Sequence, residues 1–215
     1  MARRLRGAAG LFKIGSQLFT AEGLRAVAKI ASLGFGVFLD LKFHDIPNTV
    51  AGSVAAAAEL PGVRLLTLHT LGGVDMMRAA AKAVAGRRPR PALLGVTVLT
   101  SHDAATLRSV GIGGTPGLRA LALAKLAKRA GLDGVVASAH EARAIRRACG
   151  PKFLIVVPGV RPASASANDQ SRVATPAEAI RAGADYLVIG RPITGAANPR
   201  RAALAIGQEI ASAGH

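Results

Sequence analysis

Two acidic residues and a lysine lie close together in an apolar stretch, Val37-Phe-Leu-Asp40-Leu-Lys42-Phe-His-Asp45. Asp40 and Lys42 are two residues apart, so their side chains point to the same side of a β-strand. Burying charged groups is unfavourable unless they are paired, so a carboxylate–ammonium pair at a strand end is a candidate functional site. Lys13, which ends the preceding apolar run, could add a second cation, and Asp45 a second carboxylate. The alternative is a salt bridge that only ties two strands together.

A second group of polar residues is suited to bind an anion. The last apolar run continues into Gly190 and Arg191. A glycine at a strand end lets an anion approach backbone N–H groups, and an arginine adds a bidentate donor. The preceding run is followed by Arg161, which places a second arginine at the same rim. Two arginines at neighbouring strand ends favour phosphate binding over the alternative that each is a solvated surface charge.

The other polar residues at strand ends are less informative. Thr97, Thr100 and Ser101 could donate hydrogen bonds at the end of the fourth run, or cap the next segment. His69 ends the third run, where a histidine is more often a hydrogen-bonded core residue than a base. No set of histidines and carboxylates has metal-ligand spacing, so we expect no metal. The phosphate-binding and nucleophile motifs of dinucleotide, nucleotide-triphosphate and α/β-hydrolase sites are also missing.

These residues need a scaffold that brings several strand ends together. Seven short apolar runs alternate with seven Ala-rich amphipathic stretches, which is typical of parallel strands joined by helices. The predicted strands are Leu11–Ile14, Val37–Leu41, Leu65–His69, Leu93–Leu99, Gly134–Ser138, Phe153–Val157 and Tyr186–Ile189. The predicted helices are Ala21–Ser32, Pro47–Leu60, Val74–Val84, Pro116–Ala130, His140–Ala148, Pro176–Ala182 and Pro199–Ala211. In such folds the functional residues lie at the carboxyl ends of the strands.

Local signals support this division. Thr175-Pro-Ala-Glu178 is typical of a helix start, with an N-cap, a proline at the first helical position and a glutamate at the third. Gly131 and Gly183 follow helical stretches and predict helix ends. Seven strand–helix units are one fewer than an eight-fold barrel contains. The sequence therefore predicts a single α/β domain with a parallel sheet. Seven units are many for a small doubly wound sheet, and an eight-fold barrel would lack its first unit.

Composition limits the class of protein. The 215 residues are 50% hydrophobic, with a mean hydropathy of +0.34, which is enough for a core and excludes intrinsic disorder. The single cysteine, Cys149, excludes a disulfide framework and is consistent with a reducing cytosolic compartment. No apolar stretch reaches the ~18 residues of a membrane span. Lys13 interrupts the short apolar stretch near the N-terminus, which argues against a signal peptide.

The charge is strongly positive, with 28 Lys and Arg against 12 Asp and Glu, or +16. A basic surface attracts nucleic acid, whereas a compositional bias would spread the charge over the whole surface. The arginines are scattered from Arg3 to Arg201, and the longest cluster, Arg87-Arg-Pro-Arg90, has the composition of a loop. Aromatic residues that could stack on bases make up only 3%. These features argue against nucleic-acid binding.

The segment from Phe38 to Thr49, F-L-D-L-K-F-H-D-I-P-N-T, resembles the signature of the orotidine 5′-phosphate decarboxylase family. Other segments resemble that family in its order and over essentially the whole chain. They are Phe12-Lys-Ile-Gly15, Val98-Leu-Thr-Ser101, Pro158-Gly-Val-Arg-Pro162, Asp169-Gln170 and Val188-Ile-Gly-Arg-Pro-Ile193. The D-x-K-x-x-D core alone is shared with related enzymes that act on sugar phosphates, whereas its combination with I-P-N-T and G-R-P-I is more specific.

The resemblance implies a (β/α)8 TIM barrel, a single domain over residues 1–215 that lacks the first strand. It implies a cytoplasmic homodimer without cofactor or metal that converts orotidine 5′-monophosphate to UMP and CO2. This is the last step of de novo pyrimidine synthesis. It further implies that Lys42 donates a proton to C6 of the pyrimidine and that Asp40 lies beside the departing carboxylate. Lys13 would complete the charge network and contact the ribose. Asp45 and Thr49 would reach into the partner's site.

The same resemblance assigns the substrate's other contacts. Thr100 and Gln170 would contact the base and a closing loop. Arg161, Gly190 and Arg191 would hold the phosphate. A loop that closes on the phosphate would let remote binding energy assist the chemistry.

The chain departs from the family at its start. Family members begin with a strand that ends in an aspartate that binds the ribose hydroxyls, but only residues 1–10 precede Leu11, and no acidic residue occurs before Glu22. We expect the coding sequence to continue upstream of Met1 with such a strand. Two alternatives to the decarboxylase remain. One is a sugar-phosphate decarboxylase or aldol lyase of the same superfamily, and the other is a truncated, inactive protein that binds phosphate or RNA.

Overall fold

The computed structural model of the protein describes residues 1–162 and 174–214. These residues contain seven parallel strands, which form a single sheet in chain order. The strands are β1 (Leu11–Gly15), β2 (Gly36–Phe43), β3 (Val63–His69), β4 (Ala92–Val96), β5 (Gly134–Val136), β6 (Leu154–Pro158) and β7 (Tyr186–Val188). With the helices between them, the seven strands form a nearly closed TIM barrel, which confirms the predicted α/β fold. No eighth barrel strand occurs among the described residues.

The connections between strands are mostly helical. The helices of the described residues are α1 (Ser16–Glu22), α2 (Leu24–Ser32), α3 (Pro47–Ala58), α4 (Gly73–Val84), α5 (Ala104–Ser109), α6 (Pro116–Arg129), α7 (Ala139–Cys149), α8 (Pro176–Arg181), α9 (Arg191–Thr194) and α10 (Pro199–Ala213). Two short 3-10 turns cover Ala2–Leu5 and Thr70–Gly72. No helix in the described part of the chain is both long and apolar enough to cross a membrane.

The sheet separates two apolar layers because successive strand residues point to opposite faces. Leu65 belongs to a small cluster inside the barrel, whereas the next residue, Leu66, packs in the large cluster beneath the helices. Phe38 belongs to the inner cluster, and Asp40, two residues later, lies on the same side of β2. The inner face of the barrel therefore carries both the apolar floor and the charged residues above it.

The predicted helix signals are confirmed. The Thr175 hydroxyl accepts a hydrogen bond from the Glu178 N–H, and the Glu178 carboxylate accepts one from the Thr175 N–H. This reciprocal pair satisfies two backbone donors at the start of α8. Gly131 and Gly183 have φ of 88° and 102° just after α6 and α8, a conformation that favours glycine and ends each helix.

The first predicted helix is wrong in its extent. Ala21–Ser32 was expected to be one helix, but α1 and α2 meet at Gly23, whose φ is 59° and ψ is −145°. A helix cannot continue through that conformation, which is close to exclusive to glycine. The chain therefore turns between the two helices.

The structure also corrects two predicted strands. β4 ends at Val96 instead of Leu99, and β5 ends at Val136 instead of Ser138. Ser138 is the N-cap of α7, and its hydroxyl accepts a hydrogen bond from the His140 N–H. The short helices α5 and α9, of six and four residues, were not predicted.

A cavity of about 440 Å³ lies between β1 and β7, at the two ends of the strand order. Residues 1–10 border it through the buried Leu5, which is 4% exposed, and through Ala8 and Ala9. The Arg200 guanidinium at the start of α10 donates a hydrogen bond to the Arg6 carbonyl. The N-terminal segment is thereby attached to the last helix and partly covers the space between the outer strands.

Candidate active site

The structure brings three of the predicted charged residues together at the carboxyl ends of β1 and β2. Lys42 Nζ lies 2.9 Å from Asp40 Oδ1, and Lys13 Nζ lies 3.1 Å from Asp40 Oδ2. Each carboxylate oxygen therefore accepts a hydrogen bond from a different ammonium group. Asp40 is 8% exposed, whereas the two lysine side chains are about a third exposed, at 36% and 37%. The carboxylate is fixed at the base of the site, and both cations remain accessible to a ligand.

An irregularity in β2 gives Lys42 its position. Leu39 pairs with Leu66 and Phe43 pairs with Leu68, so three residues of β2 lie opposite the single residue Thr67 of β3. Within this bulge Lys42 has a φ of 54°, the only positive φ of a residue other than glycine in the described part of the chain. A left-handed conformation costs an ordinary residue about 1–2 kcal/mol. Such bulges redirect a side chain and often occur beside active sites.

The charge balance keeps Asp40 ionised. Burial raises the pKa of Asp40, but the hydrogen bond from Lys42 and the positive charges of Lys13 and Lys42 outweigh it, so the pKa lies below its ordinary value. At neutral pH the cluster therefore consists of one carboxylate between two cations.

A cavity of about 370 Å³ lies above this cluster, within the size range of small-molecule sites. Lys13, Asp40 and Lys42 line it together with Thr100, which follows β4. The remaining wall is largely apolar and comes from residues at or just after the strand ends. Its members include Phe38, Val96, Val98, Leu99, Val136, Pro158 and Val188.

The same cavity contains the predicted anion-binding residues. Arg161 is 5% exposed, and its backbone N–H donates to the Ala174 carbonyl at 3.0 Å, whereas Gly190 and Arg191 are exposed. A Cβ atom added at Gly190 would meet no atom within 4 Å, so its backbone is open to a ligand on that side. A buried arginine and an exposed one thus share a cavity with the charged cluster.

Two other predicted site residues, Asp45 and Thr49, do not line this cavity. Asp45 and Thr49 are exposed near the start of α3, where the Asp45 carboxylate accepts the Ile46 N–H at 2.6 Å. Asp45 therefore does not join the cluster formed by Asp40 and the two lysines. Gln170 lies outside the described residues.

His69 differs from its predicted role as a hydrogen-bonded core residue. His69 Nδ1 is buried and has no hydrogen-bond partner in the described part of the chain, although a hydrogen-bonded core residue was expected. Its ring lies 5.7 Å from that of His44. Burial and the nearby charges of His44 and Lys42 lower the pKa of His69. In residues 1–162 and 174–214, no group of three or more histidine, cysteine or acidic side chains is arranged to hold a metal ion.

Thr67 on β3, which is fully buried between β2 and β4, was not predicted as a site residue. Its hydroxyl donates to Asp40 Oδ1 at 3.0 Å and accepts the Lys42 backbone N–H at 2.9 Å. The available signal was a single hydroxyl within the apolar run Leu65-Leu-Thr-Leu68. That signal does not identify the partners, because the register between two strands is a tertiary property.

The arrangement suits a reaction that develops negative charge on a phosphorylated ligand. An ammonium held beside a carboxylate can stabilise developing charge and deliver a proton. Arginines and an open backbone in the same cavity can hold an anionic group away from the reacting atoms.

Comparisons with known proteins show the family of the chain. The family described as "Orotidine 5'-phosphate decarboxylase / HUMPS family" matches residues 1–206. The chain is 55% identical over 202 residues to an orotidine 5′-phosphate decarboxylase of Halorhodospira halophila, covering 94% of this chain and 85% of that protein. It is 51% identical over 212 residues to the enzyme of that name from Nitrosococcus oceani, covering 99% and 91%.

A solved structure is similar throughout. The crystal structure of orotidine 5′-phosphate decarboxylase from Lactobacillus acidophilus has a TM-score of 0.81 and 38% sequence identity. The match covers 92% of this chain and 85% of that one. With its barrel, its charged cluster and these similarities, the chain belongs to the orotidine 5′-phosphate decarboxylase / HUMPS family.

Proposed function

We propose that this protein converts orotidine 5′-phosphate to UMP and CO2, the last step of de novo pyrimidine synthesis. Relatives that share 51–57% of its residues carry the name of that decarboxylase. The observation that carries the proposal is the cluster of Lys13, Asp40 and Lys42, which lines one cavity with Arg161 and Arg191.

Lys42 acts as the proton donor in this proposal. When the bond between C6 of the pyrimidine and its carboxylate breaks, the electron pair remains on C6. The Lys42 ammonium stabilises this charge more strongly than it stabilises the substrate, and then transfers its proton to C6. Asp40 lies beside the departing carboxylate, and its Oδ1 accepts a hydrogen bond from the Lys42 ammonium at 2.9 Å, which holds the proton donor in place.

The remaining residues bind the substrate. Lys13 contacts the ribose and completes the charge network, and Thr100 contacts the base. Arg161, Gly190 and Arg191 hold the phosphate, which is supported by their place in the same cavity as Lys42. Gln170, which lies outside the described residues, would be a further substrate contact.

The enzyme works as a homodimer in the cytoplasm. Asp45 and Thr49 reach the partner's site, a role that is compatible with their exposure near the start of α3. Each active site then contains Lys42 of one protomer and Asp45 of the other.

The test is to incubate the purified protein with orotidine 5′-phosphate and to measure UMP and CO2 formation. We expect equimolar products, with the same rate after treatment with a metal chelator. A parallel incubation with a phosphorylated keto-sugar acid tests the alternative that the protein is a sugar-phosphate decarboxylase or aldol lyase. Turnover of that compound alone, or RNA binding at physiological salt without any turnover, would contradict the proposal.

A further inference from the structure

The bulge in β2 removes a normal backbone partner from Lys42. Between the pairs Leu39–Leu66 and Phe43–Leu68, β2 has two more residues than β3. A backbone N–H in such an irregular stretch needs another acceptor, because leaving a buried donor unpaired costs about 1–3 kcal/mol. The Thr67 hydroxyl oxygen takes this place at 2.9 Å from the Lys42 nitrogen. A side chain thus replaces a main-chain bond at the residue with the left-handed backbone.

The same Thr67 hydroxyl donates a hydrogen bond to the Asp40 carboxylate. Thr67 Oγ1 lies 3.0 Å from Asp40 Oδ1, the oxygen that also accepts the Lys42 ammonium at 2.9 Å. A hydroxyl has one hydrogen to donate and can accept at its lone pairs, so both bonds form at once. Thr67 therefore connects the backbone of Lys42 to the carboxylate that holds its side chain.

We propose that Thr67 is a positioning residue for the decarboxylation, holding the Asp40 carboxylate and the Lys42 backbone in the geometry that aims the ammonium at the substrate. This inference rests on the proposed function. Thr67 is absent from the cavity lining, so it acts through Asp40 and Lys42 and not by contact with the ligand.

The burial of Thr67 makes its hydroxyl difficult to replace. The residue has 0% exposure and comes from a central strand, so bulk water does not reach the position in the described structure. Valine has nearly the same shape as threonine but has no hydroxyl. In a Thr67→Val protein, both Asp40 Oδ1 and the Lys42 N–H would lose a partner while the packing volume is kept.

The experiment compares the steady-state decarboxylation kinetics and melting temperatures of Thr67→Val and Thr67→Ser with those of the wild type. Misplacing a reacting group by about 1 Å can cost roughly a hundredfold in rate. We expect Thr67→Val to lower kcat by about 10- to 100-fold and to change KM by less than about threefold, since the phosphate contacts stay intact. Thr67→Ser keeps the hydroxyl and should retain kcat within about threefold of the wild type.

Thr70→Val is the matched control. Thr70 is also fully buried, directly after β3, but its hydroxyl donates to the Val96 carbonyl at 2.8 Å and not to the charged cluster. It should retain kcat even if its melting temperature falls by as much as that of Thr67→Val.

The outcomes separate this inference from the proposed function. An inactive wild type would contradict the function itself. An active wild type with an equally active Thr67→Val would overturn the role of Thr67, and so would an equal loss in Thr67→Ser and Thr67→Val. A loss of kcat in Thr70→Val that follows its melting temperature would show that general destabilisation explains the effect.

Discussion

The Lys42 ammonium is accessible to a ligand, so truncating this side chain should affect catalysis much more than folding. Lys42→Ala removes both the electrostatic stabilisation and the proton source. Each such contribution is worth about 10² or more, so we expect kcat to fall by several powers of ten. The side chain is 36% exposed, so folding should persist. Steady-state assays with circular dichroism would measure both effects.

Lys29→Ala provides the control for that measurement. Lys29 is an exposed lysine on α2, and it does not line the cavity. We expect wild-type activity from this variant. If the Lys42→Ala protein retained a tenth of the wild-type kcat, Lys42 could not be the proton donor.

Asp40 also links the charged cluster to acid stability. Its pKa in the folded protein lies below the ordinary value of 3.8, despite the opposing effect of burial. A carboxyl with a lowered folded-state pKa stabilises the fold above its unfolded pKa, and this contribution is lost as pH falls through the folded value. Between pH 7 and pH 3 the wild type should therefore lose more unfolding free energy than Asp40→Asn. Denaturant melts at the two pH values would show an equal or larger loss in Asp40→Asn if this assignment is wrong.

Arg191 should discriminate between substrates with and without a phosphate. Arg191→Ala should weaken the use of orotidine 5′-phosphate by roughly 2–4 kcal/mol in kcat/KM, the range for losing one partner of a desolvated charge pair. The slow reaction of unphosphorylated orotidine should hardly change. Arg201→Ala, an exposed arginine on α10, serves as the control. Equal losses on both substrates would indicate that Arg191 supports the fold.

At the level of elements, the break between α1 and α2 depends on one residue. Gly23 has φ 59° and ψ −145°, so a Gly23→Ala protein should lose about 1–3 kcal/mol of unfolding free energy. Gly207 is exposed within α10, where a Cβ would meet nothing within 4 Å, so Gly207→Ala should gain about 0.5–1 kcal/mol. Denaturant unfolding measures both, and two changes of the same sign would contradict the conformational argument.

The elements also show how far a sequence predicts such a site. The spacing of Asp40 and Lys42 on an apolar strand predicted their contact, and the apolar runs predicted the seven strands. Gly23 was not recognised as a break, because an isolated glycine within a helical pattern is often tolerated. Thr67 was missed because its partners depend on a bulge in β2, and the pairing of two strands far apart in sequence is decided by tertiary packing.

At the scale of the whole molecule, the proposed dimer makes each site depend on two chains. Lys42→Ala and Asp45→Ala homodimers should both have strongly reduced activity. After subunit exchange, random pairing gives heterodimers in half of the population, each with one intact site of two, so up to about a quarter of the wild-type activity should return. Absence of recovery despite confirmed exchange would place Asp45 in its own chain's site or outside catalysis.

β1 lies at one end of the strand order and carries Lys13, one of the two lysines of the charged cluster. Among the described residues β1 pairs only with β2, and the cavity of about 440 Å³ borders its other side. Outer strands open locally more often than central ones, so amide hydrogens of β1 should exchange with solvent before those of β3. Lys13 belongs to β1, whereas Asp40 and Lys42 belong to β2. We therefore expect the Lys13–Asp40 contact to break whenever β1 opens locally, whereas the Asp40–Lys42 contact within β2 is kept.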